Sequence, residues 1–340
     1  MTKSVCLLLL CALLRAHGAD VKLIIDTDLG NDVDDVGALA VAHALADDGK
    51  VDILAIVHCT GLKVGIAAVD VINTFYGRQD SIILGAYKGD FGRQVGNQDN
   101  YISQSLLRYH PHTVDNYDNS KVLECVAAYK KALMSAADNS VTIASIGFPI
   151  CIRDILRAEP DLFKAKVKAV YYMDGGYNFG CNIPGSSDPS GDCKNNAVEV
   201  SVDLWDSGIK QVYQWEGSNI YTGGRFSDGC GGERRQNPIK DAYITNIPYQ
   251  GRRDRPSWDP ITVHMAVLGD NSIHTSVTRG GMYIYNGGAT EDFHPGENKN
   301  MYKQNGCNDY GDATYMLDNL FCQLPKAQAV NSSQAKLATQ

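Results

Sequence analysis

Short apolar segments alternate with amphipathic segments along most of the chain. Apolar runs of strand length occur at residues 21–27, 52–57, 141–146 and 167–173. Apolar residues recur with helical spacing at residues 34–46, 65–76 and 152–158. Strands that alternate with helices in this way are typical of a parallel sheet covered by helices on both faces. The pattern therefore predicts a doubly wound, mostly parallel α/β fold, in which ligands bind beyond the carboxyl ends of the strands.

The two ends of the chain differ from this alternating pattern. Lys3 precedes an apolar run from Val5 to Leu14, and small residues follow up to Ala19. This arrangement is typical of a secretory signal peptide, so we expect residues 1–19 to be removed and the protein to be secreted. Residues 325–340 are rich in Ala, Gln and Ser, which predicts a disordered tail. No shift in composition divides residues 20–324, so we predict a single domain.

Acidic residues outnumber basic residues by 39 to 31, which gives a net charge of −8. A chain without surplus positive charge is poorly suited to binding a phosphate backbone, so nucleic acid is not expected as a partner. No apolar run reaches the roughly 18 residues that a membrane span requires, so no membrane association is expected either. The composition favours a soluble, acidic globular protein of enzyme size, and it leaves a homo-oligomer open.

Eight of the ten cysteines follow the predicted signal peptide. An even number of cysteines in a secreted protein favours disulfide bonds over metal thiolates. Two Gly-rich segments, residues 178–196 and 223–237, are predicted to be long loops held by such bonds. We predict the two bridges Cys181–Cys193 and Cys307–Cys322. Cys125 and Cys151 lie in helix-like segments and are candidates for buried free thiols.

The segment after the first predicted strand, residues 26–35, is called the acidic turn here. It contains five carboxylates: Asp26, Asp28, Asp32, Asp34 and Asp35. Carboxylates this close repel one another unless positive charge lies among them, and oxygen ligands suit a hard cation such as Ca²⁺ or Mg²⁺. The spacing differs from an EF-hand because Gly30 holds the third ligand position and no Glu closes the loop. Alternatively, Asp34 caps the following helix and the other acids are solvated.

The acidic turn resembles the signature of the calcium-dependent nucleoside hydrolases, the inosine–uridine-preferring family. Further segments are similar to that family in the same order, at residues 145–147, 173–176, 197–203 and 257–260. The resemblance extends over residues 22–268. It implies a nucleoside-hydrolase-like α/β sheet, a Ca²⁺ cofactor, and a nucleoside or related N-riboside as the substrate. It also implies hydrolysis of the N-glycosidic bond, which releases the base and ribose.

Carried over residue by residue, the resemblance implies roles for individual side chains. The calcium ligands would be Asp28, Asp35, Asp259 and the main-chain oxygen of Ile146. Asp28 would also accept a proton from the attacking water, and Asp34 and Glu199 would bind sugar hydroxyls. Asp26 would support the turn from behind, whereas Asp32 would be either a neighbouring acid or a further ligand. Carboxylates suit this reaction because the sugar develops positive charge in the transition state.

The chain departs from the family pattern near the expected sugar. Leu62 and Ser201 stand where the family has Asn, and residues 148–151 replace a Leu-Thr-Asn stretch. Trp258 stands where some members use a His to protonate the leaving base. We interpret Trp258 either as a surface on which the base stacks or as a packing residue. The lost amides favour an alternative function, a non-catalytic calcium-containing secreted binding protein on the same fold.

A phosphatase of the haloacid-dehalogenase type is a second alternative. That family also begins with a strand followed by two aspartates separated by one residue, as Asp26 and Asp28 are here. It requires Thr or Val two positions after the second Asp, where this chain has Gly30. The chain also shows no convincing counterpart of that family's later Lys and paired acids. The acidic turn therefore favours the hydrolase interpretation.

Overall fold

The computed structural model describes residues 19, 21–30, 32–89, 101–173, 204, 207–247, 254–285, 290–296 and 300–326. Several of the predictions fall outside these residues: most of the signal peptide and of the tail, the Cys181–Cys193 bridge, Glu199, Ser201, and residues 174–176 and 197–203.

The described strands form a large sheet and a small one. Their bounds are β1 (Val21–Thr27), β2 (Val51–His58), β3 (Ile83–Ala86), β4 (Val122–Glu124), β5 (Val141–Ser145), β6 (Val167–Met173), β7 (Lys210–Gln214), β8 (Tyr221–Thr222), β9 (Arg255–Pro256), β10 (Thr275–Tyr285), β11 (Thr290–Pro295) and β12 (Met301–Cys307). The large sheet has the order β11-β10-β12-β7-β6-β5-β1-β2-β3-β4, and β8 pairs with β9. All neighbours from β12 to β4 are parallel, whereas β10 is antiparallel to both β11 and β12. The predicted mostly parallel sheet is confirmed.

Helices cover both faces of the large sheet. Their bounds are α1 (Asp34–Asp47), α2 (Gly65–Phe75), α3 (Cys125–Met134), α4 (Ile150–Ala158), α5 (Pro160–Lys166), α6 (Pro238–Asn246), α7 (Trp258–Leu268) and α8 (Tyr310–Cys322). Leu39 of α1 and Met265 of α7 belong to the buried cluster on one face, and Tyr129 of α3 and Phe163 of α5 to the cluster on the other. Two separate cores are expected for a doubly wound sheet. No described helix combines the length and apolarity needed to cross a bilayer.

The strand order reverses direction at β1. This strand lies between β2 on one side and β5 on the other. The register pairs Asp26 with Ser145 of β5 and Thr27 with His58 of β2, so the carboxyl ends of three strands meet beside the acidic turn. In open α/β sheets the ligand crevice lies at the point where the strand order reverses, because the neighbouring loops diverge there. The topology therefore places the acidic turn at the expected crevice.

The predicted Cys307–Cys322 bridge is wrong, because Cys322 pairs with Cys230. Cys307 is a buried free thiol at the end of β12, where it donates to the carbonyl of Ile273 at 3.5 Å. Helix α8 begins three residues after Cys307 and places Cys322 about 18 Å along its axis, well beyond the reach of a disulfide. Cys125 and Cys151 are buried and unbridged, as expected.

Candidate functional site

Main-chain hydrogen bonds fix the base of the acidic turn to both neighbouring strands. The carbonyl of Asp26 accepts from the N–H groups of Ile146, at 2.8 Å, and Gly147, at 3.1 Å. The N–H of Cys59 donates to the carbonyl of Thr27 at 2.9 Å. A Cβ atom at Gly147 would lie 2.5 Å from the Asp28 nitrogen, so a larger residue could not pass this close beneath the turn. The turn therefore rests on a backbone platform formed by β1, β2 and β5.

Side chains from distant segments hold the outer part of the turn. His58 Nε2 lies 2.9 Å from the carbonyl of Leu29 and donates to it. Burial lowers the pKa of His58 to about 4, so its ring is neutral at pH 7. The Tyr101 hydroxyl donates to the carbonyl of Asp32 at 2.7 Å. His58 and Tyr101 thus act on the backbone of the turn, and sequence spacing gave no signal for Tyr101.

Asp26 lies behind the turn, fully buried at the end of β1. The Tyr129 hydroxyl donates to its Oδ2 at 2.7 Å, and the Cys59 thiol also donates to the carboxyl. These hydrogen bonds favour the ionised form, but removal from water outweighs them and raises the pKa of Asp26 from 3.8 to about 7. Asp26 is thus a buried acid whose protonation changes close to neutral pH.

Asp26→Asn is expected to flatten the dependence of stability on pH in metal-free protein. Between pH 3.8 and about 7 the folded wild type keeps a proton on Asp26 that the unfolded chain releases, so stability falls as the pH rises through this window. From about pH 5 to about pH 8 the wild type should lose about 2–3 kcal/mol relative to the variant. Urea unfolding in EDTA across this pH range measures the difference.

Buried histidines act in the opposite direction and serve as an internal control for this comparison. Burial lowers the pKa of these histidines below 6.5, so their protonation at acidic pH destabilises the folded protein. They are His43, His58 and His264. Both proteins contain the same three histidines, so the difference between the two curves isolates Asp26. Parallel curves for wild type and variant would show that Asp26 ionises in its ordinary range in the folded protein.

Four further carboxylates lie around the turn, three of them close in sequence and one from a distant segment. Asp28 lies in the turn, Asp34 and Asp35 open α1, and Asp259 lies in the first turn of α7. Burial is the first cause that raises the pKa of all four, and each is raised further by the negative charge of its neighbours. The fold thus brings the three predicted carboxylate ligands and Asp34 within electrostatic range of one another.

The hydrogen bonds of these carboxylates are unequal. Thr27 Oγ1 donates to Asp35 Oδ1, whereas Asp259 Oδ1 is buried without a hydrogen-bond partner. Helix α1 begins at Asp34, but its N-cap is Val33 and no side chain caps it. The alternative in which Asp34 serves as the helix cap is therefore wrong. A buried carboxylate oxygen without a partner is costly, which indicates a site built for something that supplies positive charge or a donor.

Arg255, which the sequence pattern did not single out, supplies one positive charge to this region. Its guanidinium forms an ion pair with Asp32 and places Nε 3.4 Å from Asp34 Oδ1. It also lies over the ring of Trp258, with 5.4 Å between Cζ and the ring centroid. Trp258 is half-buried and packs against the backbone of Gly217. Trp258 therefore packs against Gly217 and against the Arg255 guanidinium.

The site offers oxygen donors that suit a metal ion, but their placement differs from that of a metal site. The donors are carboxylate oxygens, which suit Ca²⁺, and the unpartnered Asp259 Oδ1 is a vacant acceptor. Ile146, the predicted main-chain ligand, is buried beside Asp26 at the end of β5. Among the described residues, however, no three His, Cys, Asp or Glu side chains are close enough together to hold one ion. The oxygen donors thus suit a hard cation. The carboxylates are spread around the turn, however, and the positive charge of Arg255 partly balances their negative charge.

The described residues that depart from the family pattern near the expected sugar site have apolar surroundings. Leu62, at an expected Asn position, is half-buried and packs against the core. Phe148 is buried just before α4 begins at Ile150. Glu199 and Ser201 lie outside the described residues, so the far side of the expected sugar site stays a prediction. On the described side, polar contacts to a ligand would come from the acidic turn and α7.

The backbone closely follows those of solved nucleoside hydrolases. A plant nucleoside hydrolase matches with a TM-score of 0.65 over 89% of this chain and 99% of its own, at 14% identity. An inosine–uridine-preferring nucleoside hydrolase from Bacillus anthracis matches with a TM-score of 0.62 over 88% of this chain and 99% of its own, at 13% identity. This chain has the nucleoside-hydrolase fold.

The nucleoside-hydrolase fold is also shared by a protein of another kind. The type III effector XopQ, solved in complex with adenosine diphosphate ribose, matches with a TM-score of 0.61 over 96% of this chain and 100% of its own, at 13% identity. No family model and no curated protein matches the sequence. At identities this low the likeness concerns the fold, so the activity has to be argued from the residues of the site.

Proposed function

We propose that the protein is a secreted, Ca²⁺-dependent hydrolase of the N-glycosidic bond of ribonucleosides or related N-ribosides, which releases the base and ribose. The observation that supports this proposal is that Asp28, Asp35 and Asp259 are buried within electrostatic range of one another in a chain with the nucleoside-hydrolase fold. Secretion is supported by the signal-peptide pattern of residues 1–19.

The proposed roles of the residues follow from their chemistry. Asp28, Asp35, Asp259 and the main-chain oxygen of Ile146 would hold Ca²⁺, which supplies positive charge for orienting sugar hydroxyls and acidifying a water molecule. Asp28 accepts a proton from the water that attacks the anomeric carbon. Asp34 and Glu199 accept hydrogen bonds from ribose hydroxyls. The carboxylates also stabilise the positive charge that the sugar develops as the bond to the base breaks.

Release of reducing sugar from a panel of ribosides tests this proposal directly. Purified protein would be incubated with a purine nucleoside, a pyrimidine nucleoside and nicotinamide riboside, with Ca²⁺ or with EDTA. We expect sugar release from at least one riboside with Ca²⁺ and its loss in EDTA, because the acidic cluster then lacks its cation. Release that persists unchanged in EDTA would contradict the metal dependence, and no release from any riboside would contradict the activity.

A non-catalytic binding protein is the second candidate. The observation that favours it is the apolar Leu62 at an expected sugar-binding position, packed against the core. A neighbour with the same fold, XopQ, was solved with adenosine diphosphate ribose bound. Calorimetric titration with ribosides and with adenosine diphosphate ribose separates the two candidates. Binding without any release of sugar would favour the binding protein over the hydrolase.

A further inference from the structure

Arg255 lies between the acidic turn and the first turn of α7. Its side chain is only 14% exposed, and it pairs with both Asp32 and Asp34. The Trp258 ring covers it at 5.4 Å from the guanidinium carbon. A guanidinium suits such a position because it is planar, weakly hydrated and permanently charged. Arg255 is therefore built into the cluster.

The backbone around Arg255 is held by segments that are distant from the acidic turn in sequence. Strand β9 carries Arg255 and pairs with β8, with Arg255 opposite Thr222. The hydroxyls of Thr222 and Ser257 hydrogen-bond each other, and the Ser257 N–H donates to the carbonyl of Gly217 at 3.2 Å. These contacts fix the backbone from which the Arg255 guanidinium reaches Asp32 and Asp34.

The charge of Arg255 acts on the same carboxylates that the proposed function assigns to Ca²⁺ and sugar. Its guanidinium pairs with Asp32 and lies 3.4 Å from Asp34 Oδ1, next to Asp35 at the start of α1. Asp259 follows four residues later in the chain, in the first turn of α7. A permanent positive charge here partly neutralises the cluster, and it also repels any divalent cation that enters it.

We propose that Arg255 is the resident counter-charge of the acidic turn: it stabilises the turn in metal-free protein and weakens the affinity of the site for Ca²⁺. The second half of this inference rests on the proposed function, whereas the first half does not. Removal of the guanidinium would remove a positive charge that repels a divalent cation, so the cation would bind more tightly. Without that cation, the same removal leaves buried negative charge uncompensated.

Three variants test the inference. Arg255→Met removes the charge and keeps an unbranched apolar side chain, while Arg255→Lys keeps the charge. Arg225→Met is the matched control, since Arg225 lies over the Tyr315 ring and bonds Asn319 rather than the acidic turn. The measurements are calorimetric titration with Ca²⁺ and thermal unfolding in EDTA.

Arg255→Met is expected to bind Ca²⁺ at least about tenfold more tightly than wild type and to unfold several degrees lower in EDTA. Arg255→Lys should stay closer to wild type in both measurements, and Arg225→Met should change neither. A variant that folds only when Ca²⁺ is present would support the inference equally. Unchanged Ca²⁺ affinity and an unchanged unfolding temperature for Arg255→Met would overturn it.

The outcomes also separate this inference from the proposed function. If Ca²⁺ binds wild type and Arg255→Met equally while ribosides are still hydrolysed, the proposed function stands and the competition with Ca²⁺ is wrong. If no protein binds Ca²⁺, the metal dependence is wrong, and unfolding in EDTA still decides the stabilising role. A lower unfolding temperature for Arg255→Met would then support Arg255 as the cation of the turn, and an equal temperature would overturn it.

Discussion

Asp28→Asn is expected to lower kcat/KM for riboside hydrolysis by about 10²–10⁴-fold. The amide keeps the size of the side chain, but it cannot accept the proton of the attacking water. Burial and the neighbouring carboxylates raise the pKa of Asp28. The amide removes one negative charge from this cluster, so the affinity for Ca²⁺ should fall as well. Initial rates of sugar release at saturating Ca²⁺ measure the loss in turnover separately from the loss of metal affinity.

Asp52→Asn is the matched control, because it makes the same chemical change at an exposed position on β2. Asp52 pairs with Lys22 at 2.7 Å on the surface. Its substitution should leave the rate within about twofold of wild type, since exposed ion pairs contribute little. An Asp28→Asn variant that hydrolyses ribosides as fast as Asp52→Asn would remove Asp28 from the reaction.

Loss of the Cys230–Cys322 disulfide is the second large expected effect. The bridge joins residues 92 apart in sequence, and a cross-link of that span typically contributes about 2–5 kcal/mol. The double substitution Cys230→Ser with Cys322→Ser should lower the free energy of unfolding by that amount. The Gly223 N–H also donates to Asp318 of α8 at 2.8 Å, so the bridge and this bond together fix the segment that precedes α6. Urea unfolding at pH 7 measures the loss.

Cys307→Ser distinguishes this pairing from the one that the spacing of cysteines predicted. Cys307 is free, so its substitution should leave the Cys230–Cys322 bridge intact in a peptide map under non-reducing conditions. If the Cys307→Ser protein lost as much stability as the double variant and showed a free Cys322, the bridge would instead join Cys307 and Cys322.

The sequence pattern predicted the central part of the fold well. The predicted strands at residues 21–27 and 167–173 match β1 and β6, and the predicted helix at residues 34–46 matches α1 to within one residue. Parallel strands buried on both faces are nearly continuous apolar runs, so this signal is strong. Strands β10 and β12, which pair antiparallel with each other, mix polar with apolar residues, and the sequence pattern does not predict them.

The site was predicted only in part, and the reason is geometric. Asp28, Asp34 and Asp35 are close in sequence and could be recognised as one acidic turn. Asp259 could be added only through the resemblance to a family, because it follows Asp35 by more than two hundred residues. Arg255 had no signal at all, since it is one of three arginines in residues 252–255 and such residues are usually solvated charges.

By itself, the sequence determined the alternating strands and helices and the crowding of carboxylates after the first strand, because both depend on residues that are neighbours in the chain. The tertiary structure alone decided the pairing of Cys322 with Cys230, the arrival of Asp259 at the acidic turn and the ion pairs of Arg255 with Asp32 and Asp34. Each of these brings together groups from distant segments, and the burial that changes their pKa values arises only when the sheet and its helices pack.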